Sequence, residues 1–290
     1  MTALPEIVDP LGSAIVVPTV TPADRSERGR VRSVGSAIVS WLIGLVVVLG
    51  TWQLFLWVFH INHFIGRGPL DVWRYVTTGS DAADARSRLY HASVTTLQDA
   101  FIGLIAGTVA AVVCAIVFNL RRTVEQTVMP IAMVLRSVPL VAMTPLIALV
   151  FGRGLMGVTV IAGIVTFFPT LVNVTLALRG APQSSIDLCQ AYGAGRVKTL
   201  FKVQLPSALP ALFASLRIAA PLALIGALLA EWLATGRGLG YLMLQSETLS
   251  NYSQLWAATA LVTAFSFILY TAISAVEKRV LARFGDPDNV

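Results

Sequence analysis

The stretch "DLCQAYGAGRVKTLFKVQLPSALP", residues 187–210, is short, polar and basic, yet apolar runs long enough to cross a bilayer flank it on both sides. A water-facing helical element between two membrane spans needs a reason to be there. Its neighbours set the class of the whole chain. Of 290 residues, 56% are hydrophobic and only 12% charged, whereas soluble domains are about 25% charged. Six apolar runs, at 34–59, 94–118, 126–150, 155–178, 207–233 and 254–276, approach or exceed the roughly 20 residues that span a bilayer. The expected fold is an all-α membrane protein of about six transmembrane helices, with a cytoplasmic loop at about 180–206 between the fourth and fifth. Pro130, Pro139 and Pro145 fall in the third run and predict a kinked or interrupted helix there.

Charge gives the orientation. With the N-terminus in the cytoplasm, the inner segments hold Arg25, Arg28, Arg30, Arg32, Arg121, Arg122, Arg179, Arg196, Lys198, Lys202, Lys278, Arg279 and Arg283. The outer segments hold Arg67, Arg74, Arg86, Arg88, Arg153 and Arg237, while Arg136 and Arg217 lie inside spans. Thirteen against six places both termini inside. The net charge of +6 then serves lipid headgroups and orientation rather than nucleic acid. Residues 1–33 read as a disordered cytoplasmic tail rather than a secretory signal, 34–280 as the membrane domain and 281–290 as a second tail. The two cysteines, Cys114 and Cys189, do not suggest a disulfide. His60, His63 and His91 cluster outside the spans without cysteine partners; the spacing of His60 and His63 could serve a metal, but an interfacial aromatic role fits better, so no metal site is expected.

The opening stretch resolves into two short helices. Ser184 and Asp187 form a capping-box pattern that predicts a helix start at Ser184 or Ser185. Gly193 and Gly195 supply a turn in which left-handed backbone costs little. A second helix is expected over about Arg196–Gln204, with Val197, Leu200 and Phe201 on its apolar face. Leu205-Pro206 should end it, because proline disfavours helix at the preceding residue. Such an element fits either an amphipathic loop on the membrane surface or a docking device for a soluble partner. Periodicity alone does not choose.

The residues do. "DLCQAYGAGRVKTLFKVQLP" resembles the cytoplasmic signature loop of ATP-binding-cassette importer permeases, in which an acidic-Ala-Ala triplet precedes a glycine and an aliphatic-x-Leu-Pro ending. The triplet here is Asp187-Leu188-Cys189, the glycine Gly193 and the ending Val203-Gln204-Leu205-Pro206. The spacing matches; the triplet departs, with Asp for the usual Glu and with Leu and Cys for the alanines. "GPLDVWRYV" (68–76), "RSVPLVAMTPLIALVFGRG" (136–154), "FFPTLVNVTLALRG" (167–180) and "LRIAAPLALIGALLAEWL" (216–233) are similar to segments of the nitrate, sulfonate and taurine branch, in the same order.

The resemblance implies a non-catalytic permease subunit in a prokaryotic inner membrane. It would bind no cofactor itself, since ATP and Mg would sit on separate ABC ATPase subunits. Asp187, Cys189, Ala191, Gly193, Leu200, Phe201, Leu205 and Pro206 would form the ATPase-docking surface, with Leu200 and Phe201 as anchors. A second permease subunit, identical or a sister, and an extracytoplasmic substrate-binding protein would complete the machine.

Polar groups inside the spans are the remaining candidates, because an ionisable group there is costly unless paired or wet. Arg217 and Glu231 share one face of the fifth span but stand about 21 Å apart, too far to pair. Arg217 has two roles open to it: meeting an anionic solute, or holding a polar group of another helix. Thr166, Thr170 and Asn173 share a face of the fourth span, where they fit either a translocation path or interhelical hydrogen bonding. Gly103, Gly107, Ala111 and Ala115 make a smooth ridge for close helix packing, within one subunit or between two. A membrane enzyme or electron carrier is disfavoured, since no histidine lies deep in a span. A stand-alone secondary carrier is the main alternative, and it leaves the docking element unexplained.

Overall fold

Helix fills the apolar runs, but not as six clean spans. A computed structural model describes residues 34–79 and 81–284, so the expected tails at 1–33 and 285–290 lie outside the described residues. Two compact units divide the chain, Met1–Val58 and Phe59–Val290. In the first, α1 (Val34–Val58) covers the first apolar run. The second contains α2 (Pro69–Thr77), α3 (Ala82–Leu120), α4 (Arg122–Arg136), α5 (Leu140–Phe151), α6 (Leu155–Arg179), α7 (Gln183–Ala191), α8 (Arg196–Thr199), α9 (Leu205–Ala230), α10 (Gly238–Thr248) and α11 (Tyr252–Phe284). All regular structure among the described residues is helical.

Among the described residues, four helical stretches are long and apolar enough to cross a membrane: Ala82–Leu120, Leu155–Arg179, Arg196–Thr235 and Tyr252–Ala282. The third predicted run is interrupted, as its prolines suggested. α4 and α5 meet at 106°, and Pro139 stands at the break as the N-cap of α5. They count as a fifth span only if taken together.

Two boundaries correct the sequence reading. α7 begins at Gln183 with Pro182 as its N-cap, and no side chain caps it; proline's fixed φ at that point starts the helix without a serine. Pro206 does not end the helix that precedes it. Instead α8 passes through a π turn at Leu200–Gln204 into α9. The Leu205 N–H donates to Leu200 O, one residue further back than in an α-helix. Proline lacks an N–H and its ring crowds the carbonyl four residues earlier; widening the ladder just ahead of it lets the helix run on.

The core is a three-helix contact of α3, α6 and α9, in which Ala162 is the point of closest approach. A Cβ added at Gly103 would overlap the Ala162 methyl, and one at Gly226 would come within 2.7 Å of Ala162 Cα. Gly107 likewise lies against Gly163 and Thr166, and Ala111 and Ala115 are wholly buried among Leu171, Val174 and Leu178 of α6. The small-residue ridge therefore packs within one subunit. Gly226→Leu is expected to overpack this contact and destabilise the fold by about 1–3 kcal/mol. Gly195→Ala, where the added atom meets open space, should leave the thermal midpoint in detergent near that of the wild type.

Candidate functional site

The element between α6 and α9 is a stiff arm rather than a loose loop. No side chain of α7 is buried, and Asp187 is tied only within its own helix, accepting from Gln183 Nε2 at 2.8 Å. Its C-terminal end is locked. Gly193 takes φ +74°, the Gly193 N–H donates to Gln190 O at 2.8 Å, and the Ala194 N–H donates to Cys189 O at 2.9 Å. Those two bonds with a left-handed residue between them are a Schellman closure. Gly195 takes no part in the left-handed turn and serves as N-cap of α8.

Below the turn one anchor is sunk into the core. Leu200 is fully buried, packed among Phe118 of α3, Leu171 and Leu178 of α6 and Ala208 of α9. Phe201 is 56% exposed, so only one of the two expected anchors faces inward; adjacent helical residues point about 100° apart. Asn119 Nδ2 donates to Gln204 Oε1 at 2.7 Å, tying α3 to the π turn. Ala191 is exposed, Cys189 half-buried, and Leu205 and Pro206 half-buried. Leu188, Tyr192 and Val197 remain open to solvent. At the same end of the molecule Arg179 of α6 forms an ion pair with Glu125 of α4.

The predicted intramembrane residues fall into separate places. Thr166 and Thr170 have no exposed surface. Thr166 Oγ1 donates to Gly163 O at 3.0 Å, and Thr170 Oγ1 donates to Thr166 O at 2.9 Å. Asn173 is half-buried on the same helix. Arg217 Nε lies 3.2 Å from Glu277 Oε2 of α11. Breaking that pair with Arg217→Ala leaves a buried carboxylate without its counter-charge, and should lower stability by about 1–3 kcal/mol. Arg217→Ala with Glu277→Ala should recover part of the loss in a double-mutant cycle read by thermal unfolding.

Glu231 is fully buried and joins three elements. Its Oε2 accepts the Gly240 N–H at 2.8 Å and the Thr96 hydroxyl at 2.9 Å, while Thr96 Oγ1 accepts the Leu239 N–H at 2.8 Å. One turn along α3, Asp99 lies 3.5 Å from Arg237 NH2. The start of α10 is thereby pinned to α3 and to the end of the long helix. Sequence reading singled out Glu231 but missed Thr96, Asp99 and Arg237; nothing in the spacing links positions more than 130 residues apart.

A second missed residue is Arg136, the last residue of α4. It lines a cavity of about 480 Å³ together with Ser137, Pro139, Phe168, Pro169 and Ile218. Among the described residues no group of three or more His, Cys, Asp or Glu side chains is placed to hold a metal ion.

Several bilayer-length helices and an interrupted span among the described residues give a multi-pass membrane protein. The chain belongs to the family of binding-protein-dependent transport system inner membrane components, whose pattern matches residues 103–282. A probable ABC transporter permease protein of Haemophilus influenzae is 30% identical over 78% of this chain and 90% of its own length. A riboflavin transport system permease protein of Chloroflexus aurantiacus is 34% identical over 56% of this chain and 60% of its own length. More distant relatives are permeases for aliphatic sulfonates in Bacillus subtilis, taurine in Escherichia coli and nitrate in Leptolyngbya laminosa, at 22%, 26% and 24% identity. The fold is shared with a structure of the MetNI methionine ABC transporter, at a TM-score of 0.57, 21% identity and coverage of 70% of this chain and 99% of that one. The chain is thus an ABC-type permease component embedded in a membrane.

Proposed function

We propose that this chain forms part of the translocation path of an ATP-driven importer and is coupled through α7 and the turn after it to a separate ATPase. The observation that carries the reading is the arm itself. α7 buries no side chain, yet Gly193 closes its end and Leu200 seats its continuation in the core. A rigid element that buries no side chain fully and is fixed to the membrane helices transmits displacement from a partner, where a loop lying on lipid would not need such fixation. Asp187, Cys189, Ala191, Gly193 and Phe201 form the docking surface, while Leu200, Leu205 and Pro206 carry its motion into α9.

The excess of Lys and Arg on the α7 side supports a cytoplasmic arm with both termini on the same side. A second permease subunit, two ATPase subunits and an external binding protein complete the assembly. The solute is a small one, of the anionic kind named for the sulfonate, taurine and nitrate relatives. ATP and Mg belong to the ATPase partner.

The test is reconstitution in proteoliposomes with a candidate ABC ATPase and a candidate substrate-binding protein. Hydrolysis should rise only when permease and loaded binding protein are both present. Uptake by the chain alone, driven by a proton or sodium gradient and indifferent to ATP, would make it a secondary carrier.

A further inference from the structure

We propose that Arg136, at the break between α4 and α5, meets an oxyanionic group of the solute in the membrane interior and so sets the charge class that passes. This rests on the permease reading above and adds to it the residue that selects.

Depth comes first. Arg136 lies fourteen residues beyond Arg122, about 21 Å along a helix. Pro169, across the same cavity, lies ten residues before Arg179, about 15 Å from that end. With Arg122 and Arg179 at one membrane face, those lengths put the cavity inside a hydrocarbon core of about 30 Å.

Partners come second. Three other charged side chains of these helices have counter-charges beside them, Arg217 with Glu277, Asp99 with Arg237 and Glu125 with Arg179, and Glu231 is held by the Thr96 hydroxyl and the Gly240 N–H. Arg136 has neither ion pair nor hydrogen bond among the described residues, and its side chain is exposed on the single chain. An arginine held against hydrocarbon at that depth carries a large penalty, which is relieved only in a wet or paired setting.

The backbone gives a third and independent reason for water. Ser137, Val138 and Pro139 leave the helix between α4 and α5, and non-helical backbone at membrane depth is tolerated only inside protein or against a water-filled cavity. The other cavity walls, Phe168, Pro169, Ile218 and Leu222 among them, carry no charge. A single guanidinium in an apolar, hydrated chamber presents two parallel donors to a sulfonate, carboxylate or nitrate.

The test uses the full-length protein in native membranes, with Cys114 and Cys189 replaced, and Ser137→Cys as reporter. Modification of that thiol by N-ethylmaleimide is followed with methanesulfonate present, or with its neutral isostere dimethyl sulfone. Methanesulfonate alone should slow labelling. Arg136→Gln should weaken that protection about tenfold or more, the loss of one charge-assisted hydrogen bond, while Arg136→Lys keeps most of it.

The proposal falls if Ser137→Cys is not labelled at all, if both compounds protect equally, or if Arg136→Gln leaves protection intact. It also falls if protection disappears on removing acidic lipids from reconstituted vesicles. Association with the ATPase is measured in parallel on protein that retains Cys189. If that association persists while protection fails, the permease reading stands and only the role of Arg136 is lost; if association fails, the permease reading falls by its own measurement.

Discussion

Alanine at Gly238 is expected to prevent the folded protein from accumulating in the membrane. Gly238 has φ +85°, and a Cβ there would overlap the carboxyl group of Glu231. The backbone term alone costs about 1–2 kcal/mol. Displacing Glu231 also breaks its bonds from the Gly240 N–H and the Thr96 hydroxyl, in a place with no exposed surface for water to replace them. Each buried group left without its partner costs about 1–3 kcal/mol, so the sum lies in the range that single substitutions reach only through a named structural fault. Gly236→Ala is the control for strain alone, since Gly236 has φ +69° but open space around it; it should lose about 1–2 kcal/mol and remain folded. Glu231→Gln keeps the shape and the acceptor and should behave nearly as the wild type. Glu231→Ala should fall between. The order is read from membrane yield and from thermal midpoints in detergent. A Gly238→Ala protein as stable as the wild type would show that Glu231 does not pin α10.

The class, the helical architecture and the place of the arm are written in local patterns, and local patterns are what a sequence displays. Gly193 takes the left-handed turn because the residues on either side are helix ends, and Leu200 is apolar at the one position of the π turn that reaches the core. What escaped lies in three dimensions. Hydropathy measures the length of a run but not its direction, so 126–150 reads as a span while α4 and α5 part at 106°. Pro206 reads as a stop because the rule assumes a ladder of fixed pitch, and one π turn changes the pitch. Arg217 raised a question that its own helix could not answer: the partner, Glu277, is on α11. Arg136 is just another charge near a proline until the cavity beside it is seen. Local rules found the arm; pairings between distant helices decide the membrane interior.

Valine at Gly193 is expected to uncouple the permease from its ATPase while leaving the membrane domain intact. A β-branched residue at φ +74° is a steric outlier, costing about 1–2 kcal/mol. The two closing hydrogen bonds, from the Gly193 and Ala194 N–H groups, then compete with that strain, and the end of α7 unwinds or swings away. Little of the core is disturbed, because a Cβ at this position meets nothing within 4 Å and α7 contributes no buried side chain. Thermal midpoint in detergent should therefore change little, whereas co-purification with the ATPase should drop severalfold and stimulation by loaded binding protein should vanish. Asparagine separates two causes of such a loss. It adopts the left-handed region more readily than other residues with a side chain, so Gly193→Asn keeps the turn while adding bulk to its surface. If asparagine preserves coupling and valine destroys it, the backbone turn is what the ATPase reads. If both abolish binding equally, the partner packs directly on the glycine and the space around it is filled in the assembly. If neither has an effect, α7 is not the coupling element and the proposed docking surface falls.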